Sequence, residues 1–584
     1  MSNTCTFCEI RCTIPDGLSG RCGMYTNLDG QIIERYPDSY LIEYPISIET
    51  TPFLHFYPRH TFLQVSTIGC NFRCEGCVSE LLTQTVSEFS PSLMHKTPDM
   101  IVQKAREESC HGIVFAINEP AVSLPSFLRL AKTAREAGLL IGCSTNGYFS
   151  RSSFETLIPY LDTVAVGIKG SSDKEYQMCG AQSPEPVFRT IATLIENNIH
   201  VEVTVVHEQG NEESLLRICN RIADISEHIP ILVMRFIAFG DAELSMEPGI
   251  LDSEQICDQI RRRSPYAYLF NSPGSSYLDT RCPRCGSVVV HREFYGPMGA
   301  RVIHQQDNWV CTCGYHVPYT GTWSRTSYQE KGMMGGYRPT RALEVIKAVT
   351  TCLGITDAHT SARVWVDFIS HNYIDAIHRN ILNIETFYEV ITHLATITGK
   401  DQEGADLIAY IRERTGYISG LVSGLKKPTV LYAMGTPLFV LNEERFENKM
   451  VIAAGGEPLN RDLPRQGKPG IMVEPAYINQ MDPEVIIISG FLSTPVEDVY
   501  AICEEKGIDV QAVRNRRVYV MPPSWDFGNP RWILGLANLA NLLHPDEVHI
   551  DMEEEADRFY QKFYHIPYAD ARPNRSFFRP SSEA

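Results

Sequence analysis

No apolar run in this chain reaches the roughly 18–20 residues of a membrane-spanning helix, which excludes a helical span. Positive charge is in deficit, with 52 Lys and Arg against 70 Asp and Glu in 584 residues, a net of −18. That balance argues against nucleic acid as a partner and against charge-driven adsorption to a membrane. The opening stretch MSNTCTFCEIRC has neither the basic nor the apolar segment of an export signal, so a cytoplasmic location is expected. A composition of 43% hydrophobic and 21% charged residues is ordinary for a globular chain, and the length predicts about three to four domains. Cysteine, by contrast, is plentiful, with 18 residues. In a long chain kept in a reducing compartment, grouped cysteines point to metal rather than to disulfides.

Cys110, Cys143, Cys179, Cys219, Cys257, Cys352 and Cys503 sit singly and read as small hydrophobic core residues. The others form three groups. Cys70, Cys74 and Cys77 lie in TIGCNFRCEGC, a C-x3-C-x2-C directly after an apolar strand. A [4Fe-4S] cluster normally takes four thiolates. Three from one loop hold three irons and leave the fourth iron open.

Apolar, β-rich runs occur at 62–69, 112–118, 139–146, 163–169, 200–207 and 229–238, with amphipathic helical stretches at 98–109, 124–137, 151–160, 185–198 and 212–226. Six strands alternating with helices predict parallel β/α units, here a partial (β/α)6 barrel with functional groups at the strand C-termini. Polar residues end those strands: Asn118 and Glu119 the second, Asn146 the third, Lys169 the fourth, His207 the fifth, with Arg235 in the sixth.

The cysteine trio is the signature of the radical S-adenosylmethionine (SAM) enzymes. The first ~320 residues resemble the branch related to pyruvate formate-lyase activating enzymes, in particular the AmmeMemoRadiSam group, through CTFCEIRC…GRCGMY, PFLHFYP, TIGCNFRCEGC, INEP, STNGY, IKG…MCGA and HVEVTVV. The resemblance implies that SAM chelates the open iron and that an electron from the cluster cleaves it. The products are methionine and a 5′-deoxyadenosyl radical that abstracts hydrogen from a substrate. It further implies that Glu119 holds the SAM amino group and that Lys169 and Asn146 lie along its carboxylate and ribose, with Asn118, His207 and Arg235 completing the rim. A low-potential donor such as flavodoxin or ferredoxin would supply the electron. Two positions depart from the pattern. Gly76 replaces an aromatic residue expected near the adenine, and Gly167 replaces an Asp, leaving room for a differently shaped substrate.

Cys5, Cys8, Cys12 and Cys22 form a four-thiolate set in 18 residues, suited to zinc or to an auxiliary Fe–S cluster. Cys282, Cys285, Cys311 and Cys313, in RCPRCG…VCTCG, form two Cys-turn-Gly knuckles that predict a zinc ribbon, with His304 or His316 as substitute ligands for the short second knuckle. The expected organisation is therefore a Cys-rich segment (1–50), the partial barrel (51–278), the ribbon (279–320) and a Gly/Tyr-rich linker (321–340). An α/β domain (341–550) and a C-terminal helix and tail (551–584) would follow.

That fifth part predicts a long helix at 401–425 and β/α units with strands at 429–433, 485–489 and 517–521. Through MDPEVIIISGF, AAGGEPLN and AVRNRRVYVMPP it resembles the substrate-binding domains of iron-siderophore and vitamin B12 importers. Those have two α/β lobes joined by a backbone helix. The resemblance implies a metal chelate, tetrapyrrole or corrinoid as the small-molecule substrate, with Trp525, Phe527 and Trp532 facing its cleft. Two other readings remain: an activase that makes a radical on a partner protein, and a non-catalytic chelate-binding protein that retains a cluster.

Overall fold

The computed structural model describes residues 1–238, 243–306, 309–328, 338–357, 373–463 and 470–571, with scattered positions between 360 and 368. Residues 329–337 of the expected linker and the end of the tail (572–584) lie outside the described residues.

An eight-stranded sheet dominates the N-terminal half. Its strands are β1 (Ile42–Ser47), β2 (Thr61–Ser66), β3 (Gly112–Phe115), β4 (Leu140–Thr145), β5 (Thr163–Ile168), β6 (His200–His207), β7 (Ile231–Arg235) and β8 (Ala267–Phe270), adjacent in that order. β1 runs antiparallel to β2 and every other neighbouring pair is parallel. Val- and Ile-rich runs such as TVAVGI fit a sheet buried on both faces.

Six parallel strands were expected; seven are present, with an antiparallel edge strand beside them. The seventh, AYLF, is too short to stand out from its polar surroundings. β1 contains Pro45, whose missing N–H suits it to the edge position it takes.

Between the strands run α1 (Pro98–Glu107), α2 (Leu124–Glu136), α3 (Arg151–Leu157), α4 (Glu185–Glu196), α5 (Glu212–Ile225) and α6 (Ile250–Arg261). Local chemistry sets the starts of two of them. The Thr97 hydroxyl accepts from Met100 N ahead of α1, and the Ser150 hydroxyl accepts from Ser153 N ahead of α3. The PFLHFYP segment is anchored in the sheet, where Leu54 N and His55 N both donate to the buried Glu202 carboxylate of β6 at 2.7–2.9 Å. A three-stranded antiparallel sheet, β9 (Thr280–Arg281), β10 (Val288–Phe294) and β11 (Ala300–Gln305), follows. Arg292 of β10 ties it down by donating to Leu54 O at 3.0 Å.

The C-terminal unit begins with helices α7 (Arg338–Cys352), α8 (Ile374–Asn380), α9 (Ile384–Thr398) and α10 (Asp401–Leu421). A second sheet follows, made of β12 (Thr429–Met434), β13 (Thr436–Leu441), β14 (Gly470–Met472), β15 (Val485–Ile488) and β16 (Val518–Val520) in the order β14-β13-β12-β15-β16. A two-residue strand (Glu457–Pro458) also pairs with β12, and helices α11 (Phe446–Ala453), α12 (Pro475–Met481) and α13 (Val496–Lys506) lie between the strands. β12, β15 and β16 are parallel and β13 antiparallel. The expected β/α units are present, but among the described residues the two-lobed arrangement is not. Among the described residues one sheet-bearing lobe stands, and the region before it is helical. α10 does not bridge lobes; it packs against α9 and against α14 (Trp532–Leu543). A bidentate Arg414–Glu555 pair, 2.8 Å for each bond, fixes it to the last helix, α15 (Met552–Phe563).

The three aromatic residues expected in a cleft are core residues. Trp525 and Trp532 have no exposed surface and Phe527 has 6%. Trp532 packs edge-on against Phe446 with ring centroids 5.2 Å apart, and the Arg445 guanidinium lies 4.2 Å from the Phe527 ring. The cause is α14 itself, WILGLANLANLL, which is apolar all round and is therefore enclosed by its neighbours.

Candidate active site at the cysteine rim

The loop carrying Cys70, Cys74 and Cys77 leaves the C-terminal end of β2. Asn118 staples it in place. Its Oδ1 accepts from Thr67 N at 3.0 Å, and its Nδ2 donates to Thr67 Oγ1, Ile68 O and Gly69 O at 2.9–3.2 Å. Asn118 is thus fully engaged with the loop. Gly69 has φ +84°, and a Cβ there would lie 3.1 Å from Cys22 O; the trio loop and the N-terminal cysteine segment touch backbone to backbone. Gly76, at φ +64°, makes a left-handed turn that an aromatic side chain would strain.

Glu119 is buried at the same rim. Its Oε1 accepts from Ala121 N (3.0 Å) and Thr145 Oγ1 (2.7 Å), and its Oε2 from Asn146 N (2.7 Å). Burial pushes its carboxyl up, while these donors and the charge of Lys169 oppose that. Asn146 Nδ2 donates to Asn71 Oδ1 at 2.6 Å and reaches Cys70 Sγ at 3.8 Å. Asn146 thereby orients the cysteine loop from the β4 side.

Lys169 stands at the mouth with accessible surface. Its surroundings lower its affinity for a proton, yet the sulfurs of Cys74, Cys77, Cys179 and Cys70 outweigh that and hold its pKa up. Its Nζ occupies space beside Gly167: a Cβ at 167 would come 3.4 Å from Nζ and 3.3 Å from Thr204 Oγ1. The lysine thus borders the room that an Asp there would claim.

Two expected cofactor contacts are corrected. His207 is fully buried and turned toward α6, its Nδ1 bonded to Ser253 Oγ at 2.9 Å. The next residue, Glu208, faces the rim instead, within electrostatic reach of Lys169 and Glu75. Arg235 is also buried. Its guanidinium donates to Asn271 O, Pro248 O, Ser493 O and Leu492 O at 2.8–3.1 Å. It straps the large sheet to the C-terminal unit and is used up in doing so. Cys179, expected as core filler, is in hydrogen-bonding contact with the Cys74 thiol. Its place in the MCGA loop was the available signal.

The donor set fits an iron–sulfur cluster. Burial pushes the Cys70 and Cys77 thiols up, so their thiolates are favoured by a bound cation rather than by the protein alone. Cys70, Cys74 and Cys77 would hold three irons, with Glu119 and Lys169 beside the fourth.

The N-terminal segment covers this rim. Glu9 N donates to Tyr148 O (3.0 Å), Arg73 Nη2 to Arg21 O (2.9 Å) and the Arg21 guanidinium to Gly180 O. Cys5, Cys8, Cys12 and Cys22 line one small cavity there. In the ribbon, Cys282, Cys285, Cys311 and Cys313 bring their sulfurs within 4.8 Å of one another, with no part for His304 or His316. The 282–313 and 285–311 contacts are 3.5 and 3.3 Å. A single ion bonded at ~2.3 Å to four thiolates separates them by ~3.8 Å, close to what is seen. A wide groove at the opposite ends of the strands, lined by Asp162, His200 and Pro230 among others, holds none of the cysteines. No helix among the described residues is long and apolar enough to cross a membrane.

The chain is 29% identical over 313 residues to an uncharacterized protein of Methanocaldococcus jannaschii, covering 51% of this chain and 90% of that one. Among solved structures it is similar to a periplasmic solute binding protein from Veillonella parvula, at 26% identity and TM-score 0.29 over 32% of this chain and 57% of that one. A periplasmic heme binding protein from Pseudomonas aeruginosa matches at 19% identity and TM-score 0.25, over 28% and 61%. The chain spans less than two thirds of the length of either binding protein. Residues 65–222 match the radical SAM superfamily, and the rim that carries Cys70, Cys74 and Cys77 belongs to a radical SAM domain.

Proposed function

We propose that the N-terminal half cleaves SAM reductively at a [4Fe-4S] cluster on Cys70, Cys74 and Cys77 and directs the resulting radical at a small-molecule substrate. When bound, the cluster supplies the electron that breaks a sulfur–carbon bond of SAM, leaving methionine and a 5′-deoxyadenosyl radical. The chain's own residues bind and orient. Glu119, held by three donors, offers a carboxylate to the SAM ammonium, and Lys169 offers a cation to its carboxylate; both are charge-assisted contacts. Glu208 and Cys179 border the place left for the substrate. The observation that carries this reading is the convergence of the trio, Glu119 and Lys169 on one rim.

The test is anaerobic reconstitution followed by dithionite and SAM. The wild type should release 5′-deoxyadenosine and Cys74→Ala should release none; unchanged release from the variant would overturn the assignment. The electron donor in this reading is of the ferredoxin or flavodoxin class, and the ribbon ion is zinc. A tetrapyrrole or metal chelate is the first substrate class to try, on the strength of the C-terminal sequence resemblance, docking elsewhere than on the buried tryptophans. Titrating the full chain with cobinamide, vitamin B12 and haem tests that choice, and no binding of any of them removes it.

A further inference from the structure

The ribbon sulfurs are drawn together as one tetrahedral ion requires. Among the described residues they are the one group of three or more metal-ligating side chains whose ligand atoms all lie within 4.8 Å of one another. The trio at the rim does not meet that limit, and neither does the N-terminal set Cys5, Cys8, Cys12 and Cys22. A cubane with one thiolate on each iron spreads its ligands more widely than a single ion does. The N-terminal four are nonetheless gathered. With Tyr25 and Asn71 they line a single cavity, closed in part by Cys5 N donating to Cys12 O at 2.8 Å. The donor set there is all thiolate.

Asn71 is the second observation. It is 2% exposed, and its Nδ2 has no hydrogen-bond partner of normal geometry. That nitrogen faces the Cys8 sulfur, while its Oδ1 accepts from Asn146, which also touches Cys70 Sγ. A buried amide N–H is costly to leave without an acceptor, and a cluster thiolate at Cys8 would supply one. One amide thus stands between the N-terminal cysteines and the first ligand of the trio. The backbone contact of Cys22 with Gly69 brings the two loops together a second time.

We propose that Cys5, Cys8, Cys12 and Cys22 hold a second iron–sulfur cluster, seated behind the first, and that it relays electrons to the trio's cluster through the Asn71 contact. This rests on the reading of the trio as the SAM-cleaving centre. Each relay step moves one electron from a ferredoxin- or flavodoxin-class donor to the second cluster and on to the first. No bond is made or broken and no proton is needed.

The test uses the full chain, reconstituted anaerobically with iron and sulfide. Wild type should carry about eight irons and eight sulfides, where a single four-iron site gives about four of each. As isolated, it should carry one zinc, in the ribbon. Cys5→Ala/Cys12→Ala should lose half of the iron and keep the electron paramagnetic resonance signal that shifts on adding SAM. Cys70→Ala/Cys74→Ala should lose that signal and keep the other half. Asn71→Leu should retain all the iron and change the reduction midpoint of the second cluster. Four irons or two zincs in the wild type would overturn the proposal, and those counts decide it even if a cysteine variant fails to fold. Eight irons in the wild type with no SAM-responsive signal would instead count against the reading of the trio and leave the second cluster standing.

Discussion

Glu119 at the cysteine rim and Glu447 in the C-terminal unit are both carboxylates with almost no exposed surface, 4% and 0%, yet their surroundings differ. Glu447 is closed by a guanidinium two residues away, Arg445, itself 1% exposed. Glu119 is held by two backbone amides and a hydroxyl, and among the described residues no cation touches it. The same contrast recurs nearby. At the rim, Asn71 Nδ2 has no hydrogen-bond partner of normal geometry and cysteine sulfurs face a cavity. In the C-terminal unit, Arg414 meets Glu555, and Asp526 meets Ser489 and Gly490 N. One region keeps buried polar groups facing a space, which is how a receiving site is prepared. The other pairs its buried carboxylates internally, which is how a scaffold is fixed.

The largest effect should come from opening the closed region. Trp532→Ala removes a fully buried indole from the packing of α14 on Phe446 and should cost about 3–5 kcal/mol of stability by denaturant unfolding. Chelate binding by whatever stays folded should be unaltered. Normal stability with lost chelate binding would reverse the comparison and restore a cleft at the tryptophans. Arg235→Ala should follow at about 3 kcal/mol, because four backbone carbonyls lose their donor where the large sheet meets the C-terminal unit. Thermal unfolding should report the loss, while deoxyadenosine formation per folded chain should be unchanged.

At the rim the order of effects should invert. Glu119→Gln keeps the shape but removes the charge offered to the SAM ammonium. It should weaken SAM binding about 10- to 100-fold, the worth of a charge-assisted bond, as read from the SAM-induced spectral shift. Stability should stay the same or rise, since burial disfavours this carboxylate. Cys179→Ala should retain the full iron content, unlike Cys74→Ala. The trio supplies three thiolates without Cys179, and a loss of iron would make it a ligand.

What the sequence made legible follows from how local each constraint is. Cysteines a few residues apart on one loop are neighbours in any fold, so the trio and both ribbon knuckles could be read directly. Strand ends could be read from apolar runs, but not which of two adjacent end residues points inward. His207 turns toward α6 while Glu208 faces the rim, and because β6 is buried on both faces its pattern does not reveal that parity. Arg235 looked like a rim residue because its acceptors Leu492 and Ser493 lie 257 and 258 residues further on. Cys179 meets Cys74 only once the loop after β5 has folded back. Trp525 and Trp532 were misplaced because a Pro/Gly-rich stretch suggests a surface loop, while their neighbours in α14 enclose them.

The smallest expected effect tests the closed region by pH. Burial, and then the charge of Glu447, raises the Asp526 carboxyl from 3.8 to about 6, against the hydrogen bonds from Ser489 and Gly490 and the charge of Arg445. Between those two values the folded protein holds a proton that the unfolded chain has released, so stability falls as pH rises through the window and levels off above it. The slope cannot exceed about 1.4 kcal/mol per pH unit, so the change between pH 5 and 6 should be about 1 kcal/mol. Glu34, raised to about 7 beside Ser126 in the other half, contributes with the same sign, so the difference between wild type and Asp526→Asn is what isolates the residue. Denaturant unfolding at steps from pH 4.5 to 7.5 should show that difference growing up to pH 6 and then staying constant. Parallel curves for the two proteins would mean that Asp526 is ionised and fully paired in the fold. Asp526 would then stand with Glu447 and Glu555 as a fully paired carboxylate, which sharpens the contrast with the rim.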